Sequence, residues 1–419
     1  MVEGQNNVQP VKPTERMVIL DALRGFALMG IALANFPEFS LWTFLSDGEQ
    51  AMQPSAKVDT VVRWVQYLLV DGKFYTIFSV LFGIGFSIII DHAMRRGADG
   101  FRIFFRRMTL LLLIGAAHMM LLWSGDILLL YAAVGLLLPL FRHCKERTLL
   151  RWAVFFLLLP VVVTLWRVLT GLNPADWLYA RWWSVAAGQG ITEDNFAYWL
   201  RDAEAYGQVF SFLLQGAVER MWEFVGGQRY FKVLGLFLVG YWIGRQKVFQ
   251  HLEEHRGLVN KVLMAGVLPG LPLSVCYTLS SINGHPWGNV AHEILYAMSV
   301  YPLGLAYMAS LCLLYLKCRT WSCWRLLASP GRMALSCYIL QSVAGIILFY
   351  GIGFGLGTSL GLWQTELVSL GVFALEICLC QIWLRYFNFG LLEWFWRVLT
   401  YGKWFPLIRE KQRKEGNGE

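Results

Sequence analysis

Apolar residues run along this chain in long stretches, broken by short polar or basic segments rather than alternating with polar ones as in a water-facing strand or helix. A bilayer core of about 30 Å takes roughly 20 helical residues to cross. Ten runs approach that length, at about 17–39, 61–91, 105–123, 126–142, 149–170, 229–245, 258–280, 291–316, 331–352 and 364–387. The pattern predicts an all-α polytopic membrane protein with about ten transmembrane helices. The run 61–91 spans about 45 Å of helix, too long for one untilted crossing, and Asp71-Gly72-Lys73 is the expected break. Before it, VVRWVQYLLV is expected as an amphipathic helix in the outer interface.

The runs divide the chain into a tail (1–16), five helices (17–170), an outer loop (171–228), five more helices (229–387) and an interfacial helix with a basic tail (388–419). The loop is rich in aromatics (among them Trp177, Trp182, Trp183 and Trp222), and its VFSFLLQGAVERMWEF reads as an interfacial or re-entrant helix. The stretch LLEWFWRVLTYGKWF reads as a helix on the inner interface, anchored by Trp394, Trp396 and Trp404. The first 16 residues show no signal-peptide pattern.

Composition narrows the class further. Hydrophobic residues make up 57% and charged residues 15%, against about 25% charged in soluble domains. Mean hydropathy is +0.49. An ordinary cytosolic enzyme, a disulfide-built secreted domain and a disordered chain are excluded. The net charge of +8 is not gathered on a soluble module with exposed aromatics, so nucleic acid is not an expected partner. It marks orientation instead, because cytoplasmic loops collect Lys and Arg. With both termini cytoplasmic, 26 of the 36 basic residues fall inside, from Lys12 and Arg16 through Arg96, Arg102, Arg106 and Arg107 to Arg397, Lys411, Arg413 and Lys414, and seven fall outside. The eight cysteines lie in apolar runs or basic loops and read as packing residues, and no metal site is expected.

Ionisable groups inside hydrocarbon cost several kcal/mol unless paired or hydrated, which makes each a candidate. Asp21 and Arg24 in the first run share a helix face. Arg24, about 10 Å from the cytoplasmic start, can meet a phosphate or carboxylate from inside, or it is half of a structural ion pair. His118 lies about 16 Å beyond Arg107. It is followed across a tight Trp123-Ser124-Gly125 turn by Asp126. An Asp contact would hold the imidazole in one tautomer and raise its basicity. The alternatives are a His gluing helices together and an Asp that only caps. Lys73 sits at the midplane if its helix starts at Val61, and at the outer surface if an interfacial helix comes first. In Ser329-Pro330-Gly331-Arg332, Ser329 is the expected N-cap and Pro330 the first residue of a helix, with Arg332 as anion ligand or positive-inside anchor. Tyr338, Gln341 and Ser342 follow on that helix.

The segments LDALRGFALMGIALAN, FYTIFSVLFGIGF, HMMLLWSGDILLLYAAVGL, GRMALSCYILQS and WLRYFNFGLLEW together resemble the YeiB-like family of bacterial inner-membrane proteins, named for a domain of unknown function. The resemblance implies a multi-pass protein of the bacterial inner (cytoplasmic) membrane, among membrane lipids. More loosely, the Leu-Asp-x-x-Arg-Gly opening with ten crossings is similar to a superfamily of transmembrane acyltransferases. That superfamily includes sugar and polysaccharide O-acetyltransferases and the lysosomal heparan-glucosaminide acetyltransferase. That likeness implies an acyl group moving from cytosolic acyl-CoA to an extracytoplasmic glycan or lipid acceptor. Arg24 would then help hold the donor, and His118 would act as acid/base or acyl carrier. The sugar O-acyltransferases place an Arg and a His in the first span, whereas this chain has no His before His92.

Three functions remain open on sequence. The first is an acyltransferase with His118 and Asp126 at the chemistry and Asp21, Arg24, Lys73, Arg332 and Gln341 around the donor. The second is a solute or lipid permease using the same buried groups. The third is a non-catalytic membrane scaffold.

Overall fold

The structure, a computed structural model, describes residues 17–95 and 100–409. The expected tail 1–16 with Lys12 and Arg16, the loop residue Arg96, and Lys411, Arg413 and Lys414 lie outside the described residues. The described chain is helical throughout, with no strand among the described residues.

Helix α1 (Val18–Phe39) is followed by the short α2 (Asp47–Met52) and by α3 (Ala56–Val65), which runs through a π-helical turn at Gln66–Val70. The chain breaks at Asp71 and Gly72, where Gly72 takes φ 71°, and α4 (Lys73–Arg95) begins. The break falls where the sequence places it, because only glycine adopts that backbone at no steric cost. Next come α5 (Gly100–Leu121), the short α6 (Leu128–Gly135) and α7 (Glu146–Thr170). The 171–228 region folds as α8 (Asp176–Gly188), α9 (Glu193–Phe196) and α10 (Tyr206–Gly226). The second half is α11 (Arg229–Arg245), α12 (Arg256–Ile282), α13 (Asn289–Lys317), α14 (Cys323–Arg332), α15 (Ala334–Phe349), α16 (Leu362–Tyr386) and α17 (Leu391–Tyr401).

Among the described residues, seven helices are long and apolar enough to cross a membrane, or eight if α14 and α15 form one broken span. Two expected crossings are shorter: α6 with its 3-10 continuation, at Leu128–Phe141, and α11. Large apolar side chains stay exposed on α7 (Leu158, Val162, Leu165), α12 (Met264, Leu268) and α16 (Leu367, Leu375, Leu379), as expected of helices whose solvent is hydrocarbon.

One expected helix start is corrected. Ser329 and Pro330 do not open a helix; they lie in the last turn of α14, where Ser329 Oγ donates to the Leu326 carbonyl at 2.8 Å. The chain then bends by 82° at Met333 and restarts as α15. Pro330 lacks the N–H that would bond the Leu326 carbonyl, the acceptor that Ser329 Oγ takes instead; the bend itself falls three residues further on. The first N–H groups of α15 are satisfied from far away in sequence. Glu393 of α17 accepts from Leu335 N at 2.7 Å, Ser336 N at 3.0 Å and Ser336 Oγ at 2.6 Å.

The bend is held against α1 by two glycines. A Cβ on Gly25 would overlap the Leu327 carbonyl, and a Cβ on Gly331 would overlap the Asp21 carbonyl. The two backbones therefore touch, the small-residue packing that apolar helices use where hydrophobic driving force is weak. Gly331→Val should lower stability in detergent by about 1–3 kcal/mol, the cost of overpacking a tight contact. Gly371→Val on α16, where a Cβ meets nothing within 4 Å, should leave the melting temperature nearly unchanged. Equal melting of the two variants would contradict the close crossing.

Candidate functional site

The turn between α5 and α6 brings His118 and Asp126 together. Gly115 allows it: a Cβ there would overlap the Leu129 backbone nitrogen. His118 Nδ1 lies 2.8 Å from Asp126 Oδ1. The other carboxylate oxygen, Oδ2, accepts the Leu129 N–H at 2.7 Å. Asp126 thus caps α6 and orients the imidazole at once. An ionised carboxylate only accepts, so the imidazole proton is assigned to Nδ1 and the lone pair to Nε2.

Nε2 is also engaged. It lies 2.9 Å from Ser342 Oγ on α15. His118 is 2% exposed, Asp126 1% and Ser342 1%, so a Ser–His–Asp row is closed off from solvent. Ser342 has a second partner, the Tyr338 carbonyl at 3.3 Å. With a neutral imidazole, the serine donates to Nε2. With an imidazolium, Nε2–H donates to Oγ and the serine proton turns to the Tyr338 carbonyl. Both protonation states of His118 therefore keep their hydrogen bonds, the condition a proton-accepting base must meet in a low-dielectric site.

Below this row, toward the end of the bundle that carries the α1 N-terminus, is a cavity of about 350 Å³. Arg24, Arg107, Arg332 and Arg397 line it, together with Asp21 and Glu393. Arg24 pairs with Asp21 at 2.8 Å. The Arg107 guanidinium lies 3.7 Å from the Trp396 ring centroid, and the Trp396 indole donates to the Arg107 carbonyl at 3.0 Å, so α17 forms part of the wall. Burial pushes the Glu393 carboxyl up, against its Ser336 and Leu335 donors. Phe78, Phe82, Ile127, Leu128 and Tyr131 make the deeper wall apolar. Tyr338 closes it: its ring lines the cavity and lies 5.2 Å from the His118 ring, centroid to centroid.

The opposite end is covered by α10. Tyr206 donates to the Leu121 carbonyl at 2.6 Å and Arg220 Nε to the Ser124 carbonyl at 3.0 Å. Arg220 also pairs with Glu38 at 3.1 Å and with Glu223. The loop aromatics pack largely on one another. Trp182 stacks on Trp183 and Trp222, with centroids 5.0 and 5.5 Å away, and donates its indole N–H to Gln215.

The expected site residues separate into three groups. His118 and Asp126 touch. Asp21, Arg24 and Arg332 line the cavity. Lys73 and Gln341 stand apart from it. Lys73 is fully buried at the start of α4, donating to the Tyr67 carbonyl at 2.7 Å with its Nζ 5.2 Å from the Tyr277 ring centroid. Gln341 donates to Glu376 at 2.8 Å across α15 and α16. From sequence, Tyr338 and Ser342 are marked only as polar residues on the helix after Arg332, and Arg107 and Arg397 only as cytoplasmic-side positive charges; none of them, nor Glu393, has a role in such a site there.

Comparison with known proteins adds a family and no chemistry. Residues 243–403 match a family described as a protein of unknown function (DUF418). The chain is 28% identical to uncharacterized protein YxaH of Bacillus subtilis (strain 168), over 97% of this chain and 99% of that protein. It is also 28% identical to uncharacterized protein YeiB of Escherichia coli (strain K12), over 95% of this chain and 100% of that one. No solved structure matches.

Asp126→Ala would leave two buried N–H groups, on His118 and Leu129, without an acceptor. Each costs about 1–3 kcal/mol. Unfolding in detergent should show that loss, and Asp126→Asn, which keeps one carbonyl acceptor, should lose less. An alanine variant as stable as the wild type would contradict the double role of Asp126.

Proposed function

We propose, from the premise that this chain is a YeiB-like protein carrying a DUF418 region, that it is a membrane-embedded acyltransferase of the bacterial inner membrane. Its ten apolar segments would cross the membrane, with both termini cytoplasmic. The observation that carries this reading is the arginine-lined cavity whose inner wall, Tyr338, lies against the buried His118–Asp126 pair.

The arrangement suits a cytosolic acyl-CoA donor. Its anionic nucleotide end would sit at the rim against Arg24, Arg107 and Arg332, where planar guanidinium groups suit phosphate. The thin pantetheine arm and acyl group would extend past Phe78, Phe82 and Tyr131 toward Tyr338. The low polarity of that inner section suits an acyl chain and excludes the water that would hydrolyse it. His118 would serve as proton acceptor, held in one tautomer by Asp126. The acceptor, a glycan or lipid hydroxyl, would approach from the α10 side, where Arg220 and Glu38 meet the Ser124 turn.

The test is turnover of acetyl-CoA by the purified full-length protein with membrane glycolipid as acceptor. Arg24→Ala should raise KM for acetyl-CoA about tenfold, the loss of one charge-assisted contact. His118→Ala should lower kcat by about 100-fold or more, the range of general acid–base catalysis. Turnover that neither substitution changes would remove this site from the chemistry. Solute flux through proteoliposomes with no acyl donor would favour a permease instead.

A further inference from the structure

On the acyl-transfer reading, a histidine base needs the acceptor's hydroxyl at its free nitrogen. Nδ1 is taken by Asp126, and Nε2 is already met by Ser342 Oγ at 2.9 Å. An incoming alcohol cannot occupy that place while the serine holds it. The hydroxyl positioned for deprotonation therefore belongs to the protein itself. We propose that Ser342 is the nucleophile of this site and carries the acyl group as an ester between donor and acceptor. His118 is its base and Asp126 the residue that positions the base.

Two features of the fold fit this role. Ser342 lies one helical turn beyond Tyr338 on α15, directly behind the wall that closes the cavity. The Tyr338 carbonyl, 3.3 Å from Oγ, holds the serine hydroxyl when the imidazole is charged.

The chemistry balances in two steps. In the first, the Ser342 O–H proton passes to His118 Nε2 and the Oγ–acyl bond forms. The acyl–sulfur bond breaks, and the departing sulfur takes the proton from Nε2 to leave as a free thiol. In the second, the acceptor hydroxyl gives its proton to Nε2 and attacks the ester. The acceptor–acyl bond forms, the Oγ–acyl bond breaks, and Oγ recovers the proton. Nothing is oxidised or reduced. The Tyr338 ring must turn from the wall for the thioester to reach Oγ.

Two probes separate this inference from the acyl-CoA reading on which it rests. The purified full-length protein is treated in one arm with a fluorophosphonate and in the other with acetyl-CoA, then quenched in acid, digested and analysed by mass spectrometry. A phosphonyl adduct on Ser342, reduced more than tenfold in His118→Ala, supports the nucleophile. So does an acetyl group on Ser342 that disappears when acceptor is added. Ser342→Cys, which keeps size and nucleophile, should accumulate a hydroxylamine-sensitive thioester. Ser342→Ala should lose at least about 100-fold of turnover, as for other triad members. Full turnover in Ser342→Ala without any adduct overturns the serine and leaves the acyltransferase standing. A phosphonyl adduct on Ser342 without acetyl-CoA turnover keeps the nucleophile and overturns acyl-CoA as donor. No adduct from either probe overturns the inference.

Discussion

The contact between Gly25 and Gly331 governs the geometry of everything around the site. Where α1 and α14 touch backbone to backbone, no side chain separates them, so the Asp21–Arg24 pair on one helix and Arg332 on the other line the same cavity. The same crossing fixes the level at which α14 ends and α15 departs at 82°. That direction carries Tyr338 and Ser342 to His118. A bulkier crossing would move three polar elements at once, because interiors are close-packed and transmit strain.

The site is built on the economy of buried polar groups. Each charged or polar side chain withdrawn from water must find a partner, or it costs more than it contributes. Asp126 serves a helix terminus and an imidazole with its two oxygens, and Glu393 satisfies the start of α15 from another helix. Elsewhere Lys232 pairs with Glu293 at 2.6 Å, and Lys73 finds a carbonyl and an aromatic face. Such fully partnered groups stabilise helix positions without taking part in chemistry. The His118 row differs because one of its members, Ser342, has two alternative acceptors, so a proton can move without orphaning any group.

Local signals in the chain were enough for the helical class, for most of the helices and for the His118–Asp126 contact. Apolar runs mark the helices, and Asp71-Gly72-Lys73 marks the break before α4. His118 and Asp126 are eight residues apart across a tight turn, so their contact follows from antiparallel geometry. Ser342 is 224 residues from His118, and no periodicity links two helices so far apart. Glu393 is likewise 58 residues from the Leu335 N–H it accepts. Ser329 and Pro330 carry the residue types of a helix start, yet tertiary packing against α1 extends α14 through them. Lys73 stands equally at a midplane or a surface on hydropathy alone, and only the fold places it among Tyr67 and Tyr277.

The capping of α15 by Glu393 bears on how the protein is made. Translation delivers Glu393 only after α15 and α16 are complete, so the N–H groups of Leu335 and Ser336 must wait for their carboxylate while the preceding helices assemble. Trp396 and Arg397, two further parts of the cavity wall, arrive with it. Biogenesis therefore leaves the arginine-lined chamber unfinished until the last helix docks, and a nascent chain stalled before that point would hold its serine and histidine on a scaffold still missing one side of the vessel.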